Sequence, residues 1–267
     1  MFRIYADLTK LGIVIFVLLA GLAGYALSFP IENQFVWTHA LTLIAGLYFL
    51  SSGSLALNQV QEWPMDQKMP RTAKRPIAAG KIKPMAAAIL AVTYLVVGSQ
   101  LLFESSVLSG WLGLLTVVLY NGLYVYWWKP KMIFAAIPGA IPGALPVTIG
   151  YAANKMQIWH ADSVYLFIIL FCWQMPHFWA LAIKFKDDYQ RAGVPVLPAA
   201  IGMNKTLYHT GLWTFLYVGT AVAAPFLYNP IWFILRWSFH LYLKSYKNSF
   251  VFLNQTARKD GLHFLCG

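Results

Sequence analysis

Asn58, Glu62 and Asp66 follow one another at intervals of four in the stretch NQVQEWPMDQKMPRTAKRP, and Arg71, Lys74 and Arg75 come directly after them. On a helix that spacing lines side chains along one narrow face, so three oxygen donors would converge. Pro64 and Pro70 disturb a regular helix, which predicts Asn58 and Glu62 on its last turns and Asp66 in the bend beyond. Hard oxygen donors suit magnesium, and guanidinium groups grip phosphate oxygens two at a time. A metal-bound diphosphate needs both signs. Carboxylates alone would repel it, and arginines alone would leave no metal to stabilise the departing group. A plainer account, a wetted loop whose acids and bases neutralise one another, explains this cluster taken alone equally well.

A second cluster of the same composition lies in KFKDDYQRAGVPVLP, with Lys184, Lys186, Asp187, Asp188, Tyr189 and Arg191. Adjacent aspartates often do no more than cap a helix. Two such clusters on one side of a membrane would instead form the two halves of one metal-diphosphate site. Shortly before the second, WQMPHFWALAIK puts Pro176 and His177 within an apolar run, where an imidazole is costly to keep. It is either a satisfied structural histidine or a group that touches an acceptor or handles a proton. The proline beside it loosens the helix and helps to form a cavity.

These groups need elements to hold them. The chain is 59% hydrophobic and 11% charged, against about 25% charged residues in a soluble domain, which points to a bilayer as solvent. Apolar runs at 11–29, 37–57, 85–103, 107–128, 133–152, 163–183 and 206–228 each approach the length that crosses a hydrocarbon core. The expected fold is all-α, a polytopic transmembrane bundle with seven clear spans. Residues 1–228 form its main domain and 229–267 an atypical C-terminal segment whose run at 231–243 makes a poor span. Sorting the connecting segments alternately places fourteen Lys and Arg on one side and only Lys155 on the other. The positive-inside rule then puts the N-terminus and both charged loops in the cytoplasm.

The net charge of +11 therefore reports topology. No basic run interleaved with stacking aromatics argues for nucleic acid. Cys172 and Cys266 are too few for a disulfide framework. In the run at 133–152, Pro138, Pro142 and Pro146 with Gly139 and Gly143 read first as close helix packing and second as a groove. Tyr120, Tyr124, Tyr126, Trp127 and Trp128 read as an interfacial belt, of which one or two rings could turn inward.

Taken together, the two loop motifs resemble those of the haem O synthase branch of the UbiA-type intramembrane prenyltransferases. The likeness covers about residues 1–228 and extends to the flanking Met69, Thr72, Pro76, Ala192, Gly193, Leu197 and Pro198. The resemblance implies nine helices around a central cavity, farnesyl diphosphate as donor, protohaem IX as acceptor and Mg2+ as cofactor. It assigns Asn58, Glu62 and Asp66 to the first metal-diphosphate motif, and Lys184, Asp187 and Asp188 to the second. Arg71 and Arg75 become the basic pair, and His177 falls on a histidine with a haem-related role, at the iron or a propionate. Haem A synthase is a candidate partner, and a bacterial cytoplasmic (inner) membrane is the expected location. Trp63, Pro64 and Met65 stand where the family has a more acidic turn, and the tail lacks clean eighth and ninth spans. Two rivals remain at this stage: a sibling enzyme acting on an aromatic quinone precursor, and a non-catalytic haem or anion carrier.

Overall fold

In hydrocarbon each backbone N–H and C=O must find its partner within the protein, so an uncharged apolar run of about twenty residues folds as helix. The computed structural model, which describes residues 2–28 and 36–227, contains helices and turns but no strand among those residues. The helices are α1 (Phe2–Thr9), α2 (Leu11–Leu27), α3 (Trp37–Asp66), α4 (Pro84–Ser105) and α5 (Val107–Val117). The last continues as a π-helix (Val118–Trp128) and a final turn, α6 (Lys129–Lys131). Then come α7 (Ala136–Lys155), α8 (Ala161–Lys184), the short α9 (Lys186–Arg191) and α10 (Leu197–Ala200), and α11 (Met203–Leu227).

Within the described residues, each of the seven expected runs falls largely on a long helical segment, the run at 107–128 being divided between α5 and the π-helix. Five segments are long and apolar enough to cross a membrane on their own: α3, α4, Val107–Lys131, α7 and α8. The α1–α2 pair, bent by 58° at its break, counts as a sixth. The seventh run lies on α11, a helix of 25 residues. The segment 229–267 and its poor run lie outside the described residues. Contacts divide the chain after Thr214. Within the described start of the second unit, the Thr220 hydroxyl donates to the Leu216 carbonyl at 2.8 Å.

Small residues let the helices approach closely, as the glycines of α7 led one to expect. A Cβ on Gly24 of α2 would overlap the backbone carbonyl of Val147 on α7, and one on Gly150 would overlap the carbonyl of Gly21. Tyr25, Leu43, Leu47, Leu102 and Ile149 fill the core beside this contact. Hydroxyls fasten α5 to the same stretch of α7, with Ser109 donating to the Ile149 carbonyl (2.8 Å) and Ser106 to that of Ala152 (3.1 Å). Overpacking costs about 1–3 kcal/mol where side chains can yield. Here the obstacle is backbone, so Gly150→Leu is expected to destroy the monodisperse species in detergent chromatography. Gly12→Ala, with nothing within 4 Å, should leave the elution profile unchanged.

The break after α1 is also built in. Lys10 adopts φ 51°, ending one helix and starting another. The carbonyls of Asp7 and Leu8, left without helical donors, accept both hydrogens of the fully buried Gln59 amide at 2.7 and 2.9 Å. Two buried hydrogen bonds from one amide nitrogen hold the bend and carry Lys10 towards α3.

Candidate active site

The C-terminal half of α3 is polar on more than one face. Asn58, Glu62 and Asp66 are 2%, 5% and 1% exposed, and buried oxygens of this kind need donors. Each has one. Lys10 donates to Asn58 Oδ1 at 2.7 Å, Lys129 to Glu62 Oε1 at 2.5 Å, and Arg75 Nη1 to both carboxylate oxygens of Asp66 at 2.7 and 2.8 Å. The three acceptors share one helix, while the three cations come from the α1–α2 break, the turn α6 and the loop after α3. The result is a ladder in which anion-facing and cation-facing groups alternate along about two helical turns.

The helix runs to Asp66 with Pro64 inside it, so the expectation that Asp66 sits in a bend is corrected. A proline removes one backbone donor, but the next turn is kept by Gln67 N–H to the Trp63 carbonyl (3.1 Å) and Met69 N–H to that of Asp66 (3.2 Å). The Thr72 hydroxyl also donates to the Asp66 carbonyl at 3.0 Å. Successive turns through Met69, Thr72 and Arg75 fold the loop back on the helix end, where a cation also meets the negative end of the helix dipole.

Lys129 is delivered by the π-helix, whose wider turns re-aim the side chains beyond it. Its register is set from α3. The Gln61 amide donates to the Asn121 carbonyl (2.9 Å), the Asn121 amide donates back to Gln61 Oε1 (3.0 Å), and Ser54 bonds Asn121 Oδ1. Tyr120 and Tyr124 stack at 5.7 Å on this segment, whereas Tyr126 and Trp127 are 65% and 57% exposed. The inward pair thus separates from the belt. An apolar pocket beside Tyr124 and Lys129 is completed by Phe178, Trp179, Tyr189 and Leu197.

The second loop meets the first at Phe185. The Arg71 guanidinium lies 4.6 Å from the centre of that ring and the Lys184 ammonium 5.4 Å from it. Asp187 and Asp188 occupy the first turn of α9. Asp187 is exposed, and Asp188 pairs locally with Arg191 at 2.8 Å. Neither aspartate caps α9, whose N-cap is Phe185 with no side-chain cap hydrogen bond. Gly193, at φ 72°, ends the turn and returns the chain towards Leu197. On α8, His177 stacks on Trp173 at 5.1 Å, is exposed, and has no hydrogen-bond partner among the described residues.

Among the described residues no three His, Cys, Asp or Glu side chains close around one point as a metal cage. Magnesium does not require one, because it keeps several waters and takes one or two carboxylates plus phosphate oxygens. The ladder offers two carboxylates and an amide oxygen, and α9 offers two carboxylates. Either set fits a metal whose shell a diphosphate completes.

A model described as the UbiA prenyltransferase family matches residues 14–260. The chain belongs to the UbiA prenyltransferase family. Within it, the chain is 56% identical to a protohaem IX farnesyltransferase of Bdellovibrio bacteriovorus, over 99% of this chain and 90% of that protein. It is 36% identical to one of Leptospira biflexa, over 81% and 76%. Among solved structures it resembles a UbiA homologue from Archaeoglobus fulgidus bound to DMAPP and Mg2+, with TM-score 0.69 and 14% identity over 92% of this chain and 86% of that one. It also resembles a digeranylgeranylglyceryl phosphate synthase, with TM-score 0.67 and 19% identity over 91% and 88%. Those two likenesses establish a shared fold. The family match runs past residue 228, where the motif-based likeness ends.

Spacing along the sequence picked out the three oxygen donors that line α3 but missed their partners Lys10 and Lys129 and the Gln61–Asn121 pair. The available signal was that Lys10 and Lys129 border spans on the basic side, level with the first motif.

Proposed function

We propose that this chain transfers the farnesyl group of farnesyl diphosphate to a vinyl group of protohaem IX, producing haem O and diphosphate. The ladder of Asn58, Glu62 and Asp66 interleaved with Lys10, Lys129 and Arg75 is the observation that carries the donor half. The relative that is 56% identical over nearly the whole chain supports the acceptor. Asn58, Glu62, Asp66, Asp187 and Asp188 would hold Mg2+, and Lys10, Lys129, Arg71, Arg75 and Lys184 would hold the remaining phosphate oxygens. Bound magnesium would withdraw negative charge from the leaving diphosphate.

In the reaction the bond between farnesyl C1 and the diphosphate oxygen breaks, and the terminal vinyl carbon bonds to C1. A water adds its hydroxyl to the inner vinyl carbon and gives up one proton, so the product is a hydroxyethylfarnesyl group. The stacked Tyr120 and Tyr124 faces and the apolar pocket would shield the allylic cation. His177 is the residue proposed to contact haem, at the iron or a propionate. An excess of basic residues on the ladder's side supports placing the site at the cytoplasmic face of a bacterial inner membrane. Haem A synthase is the proposed partner that would receive the product.

Membranes containing the chain, supplied with farnesyl diphosphate and either haem B or 4-hydroxybenzoate, test the proposal by mass spectrometry of the extracted products. Haem carrying a hydroxyethylfarnesyl group is expected, with the benzoate unchanged. Prenylated benzoate beside unaltered haem would overturn the acceptor assignment in favour of a quinone-precursor enzyme.

A further inference from the structure

We infer that the groove between α1 and the loop following α3 binds the headgroup of an anionic phospholipid. Arg3, Asp7, Lys74 and Lys81 line it. All four are exposed, and none of the three cations forms an ion pair among the described residues. Three positive charges against one negative make a surface complementary to a phosphate. The groove also lies on the basic side of the molecule, level with the headgroups of an anionic leaflet.

Both banks are held in place. On α1, Leu8 is buried against Ile77, Ala87 and Ala91, and the Tyr5 hydroxyl meets that of Tyr48 at 2.8 Å. Arg3 and Asp7 are left on the exposed side. Gln59 fixes the end of this helix, and the 58° bend turns it away from the axis of α2. The opposite bank is a set of hydrogen-bonded turns, with Ala73 N–H to the Met69 carbonyl and Lys81 N–H to that of Pro76, both at 2.8 Å. Lys74 and Arg75 are neighbours in sequence with separate duties: Arg75 reaches Asp66 within the ladder, and Lys74 faces the groove.

A lipid fits better than free phosphate because the same corner offers a place for acyl chains. Three residues after Lys81, α4 begins, and Met85, Ile89, Val92 and Val96 form an exposed apolar stripe along it. Lys and Arg side chains with apolar stems and charged heads suit that boundary. Exposed cations hold a soluble anion only weakly in water, whereas acyl chains anchored along α4 would keep the headgroup at the groove.

The test is native mass spectrometry of the full chain released from nanodiscs containing phosphatidylglycerol and phosphatidylcholine in equal amounts. The intact protein is expected to retain phosphatidylglycerol preferentially. Removing one basic residue near a charged surface weakens attraction by about fivefold, so R3Q/K74Q/K81Q should lower retention on the order of a hundredfold. K68Q/K131Q/K205Q removes three exposed charges from the same side outside the groove and should leave retention nearly unchanged. R3K/K74R/K81R should restore it, separating charge loss from misfolding. Equal loss in both triple neutralisations would mean diffuse attraction and would overturn the site. So would equal retention of the two lipids, or displacement of phosphatidylglycerol by millimolar inorganic phosphate.

Discussion

Asp66→Asn is expected to lower diphosphate release by on the order of a thousandfold, the scale seen when one charge-stabilising group is removed from a reacting centre. Asp66 is 1% exposed and both its oxygens face Arg75. Asparagine keeps the shape but offers one oxygen and points two N–H donors at a guanidinium or a metal, neither of which can accept them. Losing a charged hydrogen bond costs about 1.5–3 kcal/mol of stability, which a thermal melt in detergent should register as a modest shift. Haem titration followed by absorbance should be unaltered, because no part of this change touches His177. A carrier would behave differently: wild type and variant would bind haem alike and neither would release diphosphate. Measuring haem binding and diphosphate release on the same preparation therefore separates the two functions.

The spans were legible because hydropathy and length act locally, and a twenty-residue apolar run has few alternatives in lipid. The acids of the first motif were legible for the same reason, since a four-residue period survives wherever the helix lies. The helix end was misjudged by the same local logic. Pro64 predicts a break, but the Arg75–Asp66 pair and the Thr72 cap outweigh one missing backbone donor. Lys10 and Lys129 could not be assigned by spacing, because their partners lie 48 and 67 residues away along the chain. In sequence they look like any positive charge at a membrane edge. The π-helix is hidden similarly. Nothing in VLYNGLYVYWW announces wider turns, and the reciprocal amide pair that fixes them spans 60 residues. The second loop shows the converse, a local Asp188–Arg191 pair three residues apart.

Lys129→Met should be the most destabilising single change in the ladder. Glu62 is 5% exposed and Lys129 contributes a side chain 17% exposed, so removing this cation leaves a buried carboxylate with Asn58 beside it and only the weaker influence of Lys10. Breaking a buried pair from one side costs about 3–5 kcal/mol, enough for a fall of several degrees or more in the melting midpoint. The isosteric double change Glu62→Gln/Lys129→Met removes both charges together and should recover most of that loss, since a neutral pair of similar volume carries no stranded charge. Activity should not recover. The double variant has neither the carboxylate for a metal nor the ammonium for a phosphate oxygen, so turnover should remain at the level of the worse single variant. If the pair existed only to hold the π-helix against α3, restoring stability would restore turnover as well. A double variant that melts like wild type yet turns over normally would therefore remove Glu62 and Lys129 from the chemistry. One that is stable and inactive would show that the ladder is charged for the substrate and tolerated by the fold.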